Sequence, residues 1–537
     1  MASLSGPKQS RSVLYSRTSN LVRKMRICLI SREYPPDTGY GGIATFTRHL
    51  AHGLKELGND VVVVSLAEGA AKSVDDDGVA VHRVEPFVVP GDLGTVSMCM
   101  PYSRYVMKTT AALWQKFFQL HEEHPFDVVD TPELLAEGLY PAIAKVVPLV
   151  IRLYTPHSKF IAENLHNVSA TFDHQFVAMI ERVAMLSADA ITSPSNDLAE
   201  FVADDLSLPV EKIRLIHNPI DPDVFSPEGE CALPPPQGQR VLFVGRLEER
   251  KGITYLVQAI PQILKAAPET EFVIIGADTI NSEGGQRSVL ADLRDFLARN
   301  HVADHVKFIP RVPLNDLPKY YRSADICVVP SIYDNSPYTC LEAMSCGRPV
   351  VGTSGGGTKE YVVDGECGII VPPRDIEALR DAITHLLRDP RTRRRMADNA
   401  RIRVLDKFQR KQIAAETLAL YHEARAVFLA KSKSLYLKPP EHLLSDAAVL
   451  LYSYDKMIYD LLYQQSYRFR IRHWFQSAAR PRLFAARVLL RLARAVSGPK
   501  RNGRTAALVE WLEKQIAAKQ EHPLEKIAAL TGRTLDR

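Results

Sequence analysis

The chain has 537 residues, of which 46% are hydrophobic and 24% charged, and its formal net charge is +5. This is ordinary globular material, long enough for three or four folding units and able to bury a large core. It excludes a collagen-like, a wholly disordered or a strongly acidic chain, and so mild a total gives no sign of a nucleic-acid binder.

The first 24 residues carry Lys8, Arg11, Arg17, Arg23 and Lys24, several serines and no acid. Lacking the apolar core of a secretory signal, they read as a basic flexible arm, with a transit peptide as the alternative. No apolar run reaches the roughly 18–20 residues of a spanning helix. The seven cysteines (Cys28, Cys99, Cys231, Cys327, Cys340, Cys346 and Cys367) are scattered, odd in number and free of CxxC pairs. That predicts reduced core thiols in a cytosolic protein rather than disulfides or a metal site.

From Met25 onward apolar runs alternate with amphipathic stretches, the rhythm of a parallel α/β sheet. Arg26–Ser31 predicts a buried strand. Ile43, Phe46, Leu50, Leu54 and Leu57 mark one face of a helix ending at Gly58, and Val61–Ser65 predicts the next strand. Asp75-Asp76-Asp77 could serve as a metal-binding acid pair, but before Gly78 and between apolar stretches it reads as a hairpin turn. Further strands are expected at Asp127–Asp130, Pro148–Leu153 and Ala190–Ser193. Asn218–Arg240, rich in proline and glycine, has neither period and reads as a linker. The rhythm then restarts with Val241–Val244, a helix from Ile253, and strands at Phe272–Ile275, Val306–Ile309, Ile326–Val329 and Val350–Val351. A helical region from Ile376 to Lys431 closes it. The boundaries that follow are an arm at 1–24, a first domain at 25–218, a linker at 219–240 and a second domain at 241–408. A closing helix at 409–430 and a basic helical extension at 431–537 complete the chain.

Three loops carry candidate chemistry. Gly39-Tyr40-Gly41-Gly42 precedes the first helix, where glycines let backbone N–H groups approach an anion. Read as G-x-G-x-x-A it is similar to a dinucleotide fingerprint, but Arg32–Thr38 separates it from its strand, which speaks against NAD. In Gly245-Arg246-Leu247-Glu248-Glu249-Arg250-Lys251-Gly252 two cations sit on a glycine-bounded loop at the carboxyl end of a strand, where open α/β sheets bind ligands. The guanidinium fork of Arg246 and the compact charge of Lys251 suit a diphosphate, while Glu248, Glu249 and Arg250 read as exposed. In Val329–Glu360 (VPSIYDNSPYTCLEAMSCGRPVVGTSGGGTKE), Ser336-Pro337 predicts an N-cap with proline at the first helical position, opening a helix to Ser345. Asp334 precedes that cap and Glu342 lies within the helix, with seven residues between them. Such acids accept hydrogen bonds from sugar and ribose hydroxyls. Gly355-Gly356-Gly357 forms a second glycine cluster.

Together these pieces resemble glycosyltransferase family 4, retaining nucleotide-sugar-dependent enzymes of the GT-B fold, over roughly Met25–Tyr421. The resemblance rests on the early glycine loop, the NPID turn at Asn218, GRLEERKG, and the acid-x7-acid motif running into LEAMSCGRPVV and GGTKE. It implies an α/β architecture of two Rossmann-like parallel-sheet domains facing across a cleft. It assigns the nucleotide diphosphate to Arg246 and Lys251, the ribose to Glu342 and the donor sugar to Asp334. Sugar and phosphate would also meet the backbone around Asn335, Ser336, Pro337, Tyr338 and Thr339. His157, which alone reads as a surface loop residue, matches the histidine near the sugar's 6-position. Gly41 and Gly42 would line the cleft, and the base would stack near Arg311 and Val312. The implied activity is hexosyl transfer to a glycan, glycolipid or small-molecule hydroxyl without metal or other cofactor. A nucleotide-sugar epimerase or hydrolase, or a non-catalytic nucleotide-sugar-binding protein, are the alternatives. The chain departs from the pattern at Asp334, where Glu is usual, and at Gly276-Ala277-Asp278, which replaces a Gly-x-Gly turn.

The net charge is an average over unlike parts. The arm is +5, and Lys431–Arg537 holds 20 basic and 9 acidic residues, so the body between them is −11. Tyr467–Arg504 has eleven basic residues and no acid. On a helical wheel Arg480, Arg487, Arg491 and Arg494 lie opposite Leu483, Leu489, Leu490, Leu492 and Val496, with Trp474 and Phe475 upstream. This pattern suits an interfacial helix on an anionic membrane, hence a cytoplasmic protein peripheral on the inner face; packing on the enzyme is the other reading. The membrane reading predicts low-salt co-sedimentation with anionic vesicles that is lost on deleting Lys431–Arg537. No binding by the full chain would reject it.

Overall fold

In the computed structural model, residues 24–39, 41–86, 100–163, 168, 171–281 and 287–431 are described. The arm up to Arg23, Cys99 and the extension after Lys431, including the membrane-helix candidate at 467–504, lie outside them.

Each lobe is built on a mostly parallel sheet. The first has strands β1 (Arg26–Ile30), β2 (Asp60–Leu66), β3 (Lys72–Asp76), β4 (Val79–Val84), β5 (Val128–Pro132), β6 (Leu149–Arg152), β7 (Ala190–Ser193) and β8 (Ile213–Leu215). They are ordered β3-β4-β2-β1-β5-β6-β7-β8, with only β3 antiparallel to its neighbour. Helices α1 (Gly42–Glu56), α2 (Pro101–Glu123), α3 (Leu139–Ala144), α4 (His157–Ala162), α5 (Phe172–Ser187) and α6 (Asn196–Asp205) belong to this lobe.

The second lobe continues with β9 (Arg240–Val244), α7 (Ile253–Ala266), β10 (Glu271–Ile275) and a small hairpin, β11 (Ile280–Asn281) and β12 (Arg287–Ser288). Then follow α8 (Val289–Arg299), β13 (Val306–Ile309), α9 (Leu317–Arg322), β14 (Ile326–Val329), α10 (Tyr338–Ser345), β15 (Val350–Thr353), α11 (Thr358–Tyr361) and β16 (Gly368–Val371). Its main sheet is wholly parallel, ordered β13-β10-β9-β14-β15-β16. Strands such as β2 and β14 are buried on both faces by flanking helices, so they read as continuous apolar runs. In each sheet the strand order reverses beside the first strand, at β1 and at β9. The two glycine-rich loops therefore leave the sheets where ligands bind. This is the two-lobed GT-B arrangement that the family resemblance implies.

The helical region from Ile376 to Lys431 comprises three helices, α12 (Ile376–Arg388), α13 (Pro390–Lys407) and α14 (Arg410–Lys431). The Asp389 side chain caps α13 by accepting from the N–H groups of Arg391 and Thr392, and Pro390 starts that helix. A second break occurs where the chain returns to the first lobe. There the Ile220 N–H donates to Phe408 O at 2.9 Å and the Arg410 N–H to Ile220 O at 2.8 Å. The two chain crossings between lobes thus lie side by side, and Arg410 adds an ion pair to Asp221 at 2.6 Å.

Beyond the crossing, α14 packs on α1. Tyr421 donates to Asp130 at 2.6 Å, and Asp130 also holds Arg152 at 2.9 Å. A Cβ on Gly53 would lie 2.7 Å from Ala414 Cβ and 2.9 Å from Arg410 O, so only glycine allows the helices this close. The expected hairpin turn joins β3 to β4 at Asp77-Gly78, both at positive φ, while Asp75 and Asp76 end β3. Asp76 binds Arg48, His52 and the Tyr34 hydroxyl at 2.7–3.1 Å. Cys231 is exposed, contrary to its expected place in the core; the other five described cysteines are buried, and all six are free thiols. Among the described residues no helix is long and apolar enough to cross a membrane.

Replacing Gly53 by leucine should drive α14 off α1 and destabilise the protein by about 1–3 kcal/mol, the usual cost of overpacking. Denaturant unfolding measures this, and an unchanged midpoint would contradict the close helix contact.

Candidate active site

The second-lobe site is assembled from three loops. The loop after β9 brings Arg246, Arg250 and Lys251; the loop after β14 brings Asp334; the loop after β15 brings Gly355–Gly357. The last two are joined at backbone level, with the Asp334 N–H donating to Gly355 O at 3.3 Å and the Gly357 N–H to Asp334 O at 2.9 Å. Gly356 has φ 78°, and a Cβ there would lie 2.3 Å from Asp334 O, so the position demands glycine.

Asp334 Oδ2 accepts from Lys251 Nζ at 2.5 Å. Burial pushes the Asp334 pKa up, but the charges of Lys251, Arg250 and Arg246 outweigh it and hold the carboxyl below its ordinary range. Arg246, with a side chain 54% exposed, lies 3.1 Å from Glu248. Arg250 and Glu248 are half-buried rather than solvated, a correction to the sequence expectation. The cause is a tie between loops: Arg250 donates to Tyr333 O at 3.0 Å and to Glu248 at 2.9 Å, while its own carbonyl accepts from the Ile332 N–H at 2.8 Å.

The expected cap at Ser336-Pro337 is also corrected. Pro337 itself is the residue before the helix, and Tyr338 and Thr339 are the first residues of α10. The Ser336 hydroxyl is engaged by the Tyr361 hydroxyl, and its carbonyl accepts from Asn218 Nδ2 at 3.1 Å. Glu342, 4% exposed, sits one turn into α10 and accepts from the Tyr321 hydroxyl at 2.6 Å. Burial pushes its pKa up to about 7, with the Tyr321 hydrogen bond acting the other way.

The first lobe meets this site directly. Gly41 caps α1 without a side chain, and a Cβ on Gly42 would lie 3.8 Å from Tyr338, so the first residues of α1 and α10 adjoin. The His49 ring stacks on Tyr338 at 6.1 Å. Asn335 accepts from Ser195 Oγ at 2.6 Å and donates to Tyr154 O at 2.5 Å. Tyr333 donates to Asp197 at 2.9 Å, and the two oxygens of Glu360 accept from the backbone and side chain of Asn196.

His157 is not on an exposed loop. It is the first residue of α4, 2% exposed, and its ring packs against Tyr102, Phe160 and His174. Its contacts are with first-lobe residues, whereas Arg246, Lys251 and Asp334 form one cluster in the second lobe. Arg311 is exposed and Val312 half-buried after the edge strand β13. Asp278, the departure from the Gly-x-Gly turn, accepts from Ser288 Oγ at 2.6 Å and the Leu290 N–H at 3.0 Å, joining the hairpin to α8.

Tyr333 and Tyr321 acquire their roles from partners distant in sequence, and no local motif singles them out. Glu133 is a further case: it is wholly buried, receives the Tyr154 N–H on both oxygens at 2.8 Å, and burial pushes its pKa up to about 8.

Paired sheets with switch-point loops, cations at one loop and two acids along the next frame one candidate site. The family described as "Glycosyltransferase Family 4" matches residues 40–224, and "Glycosyl transferases group 1" matches residues 232–403. An uncharacterized glycosyltransferase of Methanocaldococcus jannaschii is 29% identical over 406 residues, covering 74% of this chain and 98% of the relative. The glycogen synthase of Mycobacterium tuberculosis is 28% identical over 418 residues, covering 75% and 95%. The structure of sucrose-phosphate synthase from Thermosynechococcus elongatus superposes with a TM-score of 0.61 at 25% identity, covering 76% of this chain and all of that one. The chain belongs to the family 4, group 1 glycosyltransferases, and is a GT-B enzyme.

The raised pKa of Glu342 has a stability consequence of definite sign. Its folded value, about 7, lies above the ordinary 4.5 of the unfolded chain, so between these values the folded state binds more protons. Stability is therefore lost as pH rises through that window. Glu342→Gln removes this penalty, so its stability relative to wild type should improve from pH 4.5 to pH 8 by up to about 3 kcal/mol. Parallel denaturant titrations across this range measure it; a constant difference would contradict the assignment.

Proposed function

We propose that the protein moves a hexosyl group from a nucleoside diphosphate sugar to an acceptor hydroxyl with retention of configuration and without metal. The observation that carries this reading is the Arg246–Lys251–Asp334 cluster at the switch point of the second sheet. Lys251 is held on Asp334 shortly before α10, whose first N–H groups lack intrahelical acceptors, and Arg246 stands on the same loop as Lys251.

In this reading Arg246 and Lys251 receive the diphosphate and stabilise the charge that develops on it as the sugar C1–O bond breaks. The acceptor oxygen bonds to C1 on the face the leaving group vacates, and its proton passes to the departing phosphate oxygen. No strong side-chain base is then required. Asp334 meets the donor sugar and orients Lys251. Glu342 accepts from the ribose hydroxyls, with Tyr321 holding its second turn of helix in place. Arg311 and Val312 flank the base, and backbone at Asn335–Thr339 lines the sugar and phosphate. Gly41, Gly42 and His157 complete the cleft from the first lobe. The buried free thiols support a cytosolic setting.

Arg246→Ala and Lys251→Ala should each lower kcat/KM by about 10²–10³, the scale of losing one preorganised group at a developing charge. Lys251→Ala should also lower the Tm, because Asp334 loses its closest cation. A thermal-shift panel of nucleotide sugars identifies the donor for this assay, since a bound donor stabilises the native state. Near-wild-type turnover in either folded variant would reject the assignment. Donor loss without an acceptor would point instead to hydrolysis or epimerisation.

A further inference from the structure

Glu181, on α5, is wholly buried and carries no part of the scheme above. Its Oε1 accepts from the Leu135 N–H at 2.8 Å and its Oε2 from the His157 N–H at 2.7 Å. One carboxylate thus ties the loop after β5 to the start of α4 after β6. The loop after β5 is strained: Leu135 and Ala136 both have positive φ, 57° and 50°. Consecutive non-glycine residues in this region persist only when their surroundings hold them, and such strain concentrates at functional sites.

The same carboxylate faces the His157 ring. His157 Nδ1 is buried, lies 3.4 Å from Glu181 Oε1, and has no hydrogen-bond partner of good geometry among the described residues. A lone pair on Nδ1 is repelled by the nearby carboxylate oxygen, whereas a proton there is attracted by it. The other ring nitrogen, Nε2, lies 3.3 Å from His174 Nδ1. With the proton of His157 on Nδ1, its Nε2 is an acceptor and His174 Nδ1–H the donor. The line Glu181–His157–His174 is then polarised in one direction, with Tyr102 packed against both rings at 4.9 Å. His174 is half-buried and forms the outer end.

We propose that Glu181 is a positioning residue that fixes His157 as the Nδ1–H tautomer, so that His157 offers an acceptor nitrogen to a substrate hydroxyl. A hydroxyl reaching Nε2 must replace the N–H of His174, which makes His174 the internal competitor for that nitrogen. The catalytic consequence rests on the glycosyltransfer reading above; the tautomer assignment does not. A carboxylate behind a histidine sets which ring nitrogen works, as it does for metal-bound and catalytic histidines generally.

Histidine-selective 15N NMR of the full chain, with assignments from His157→Gln and His174→Asn, tests the first half. The wild type should show His157 protonated on Nδ1, and His174→Asn should shift the Nε2 signal while leaving the Nδ1 proton in place. Glu181→Gln removes the negative charge that faces Nδ1 and should move the proton to Nε2. In the same variant kcat should fall at least tenfold, with KM for the donor changing less than threefold. An Nε2–H tautomer in the wild type overturns the proposal even if Glu181→Gln fails to fold. So does a folded Glu181→Gln with an unchanged tautomer or unchanged kcat. Absence of transfer by the wild type with every nucleotide sugar would instead count against the substrate reading and leave the tautomer result standing.

Discussion

The backbone pairing between residues 332–335 and 355–357 is the contact on which the site depends. Because Asp334 and Gly357 exchange a main-chain hydrogen bond, the loop after β14 is held by groups that no side-chain motion can release. Three consequences follow from that fixed loop. Asp334 is presented to Lys251, the N-terminal end of α10 is set beside α1, and Asn335 reaches across to Tyr154 and Ser195. A side chain on Gly356 would separate the strands of this pairing and disturb all three together. Presentation of Asp334 to Lys251, orientation of a helix and registration of the lobes are therefore mechanically one feature.

The lobes are also joined on the far side, where the linker and the chain return meet at Ile220, Phe408 and Arg410. Two crossings lying side by side restrict relative motion more than one flexible linker would, because each must bend with the other. The helix after the return, α14, then packs on α1, whose first residues form the glycine loop of the cleft. Motion of α14 against α1 is consequently coupled to the position of Gly41 and Gly42. The contacts of Asn335, Tyr333 and Glu360 with the first lobe are few and polar, whereas the α1–α14 contact is close and depends on Gly53. Opening of the cleft would break the former and keep the latter.

The strands were legible because parallel strands buried on both faces leave apolar runs, and Ala190–Ser193, Val306–Ile309 and Ile326–Val329 were readable to the residue. The three-residue β8, only one of whose residues is buried, leaves no such run. The candidate loops were legible too, since Arg246, Lys251, Asp334 and Glu342 stand at fixed spacing in short motifs. What escaped was everything whose cause lies elsewhere in the chain. His157 has a loop-like local sequence, yet Glu181 and His174 bury it. Ser336 has the composition of a cap, yet Tyr361 takes its hydroxyl. Arg250 looks like a solvated charge, yet a carbonyl at Tyr333 draws it in. In each case a tertiary partner outbids the local preference, and the partner is invisible to a reading by spacing.

Charge explains how an acidic body can hold an anion. The residues between the arm and the extension sum to −11, so the lobes attract no polyanion through their net charge. The cations of the site do not stand free either: Lys251 is on Asp334, and Arg246 and Arg250 are on Glu248. In the proposed reading an incoming diphosphate therefore competes with internal carboxylates rather than filling an empty positive pocket. That competition favours a ligand with more than one anionic oxygen, which can engage Arg246 and Lys251 simultaneously where a single carboxylate engages one. It also disfavours monovalent anions, for which the exchange is nearly neutral. In the proposed reading Asp334 shares Lys251 with the phosphate and keeps further lone pairs for a sugar hydroxyl, so the sugar and phosphate subsites meet at one ion pair.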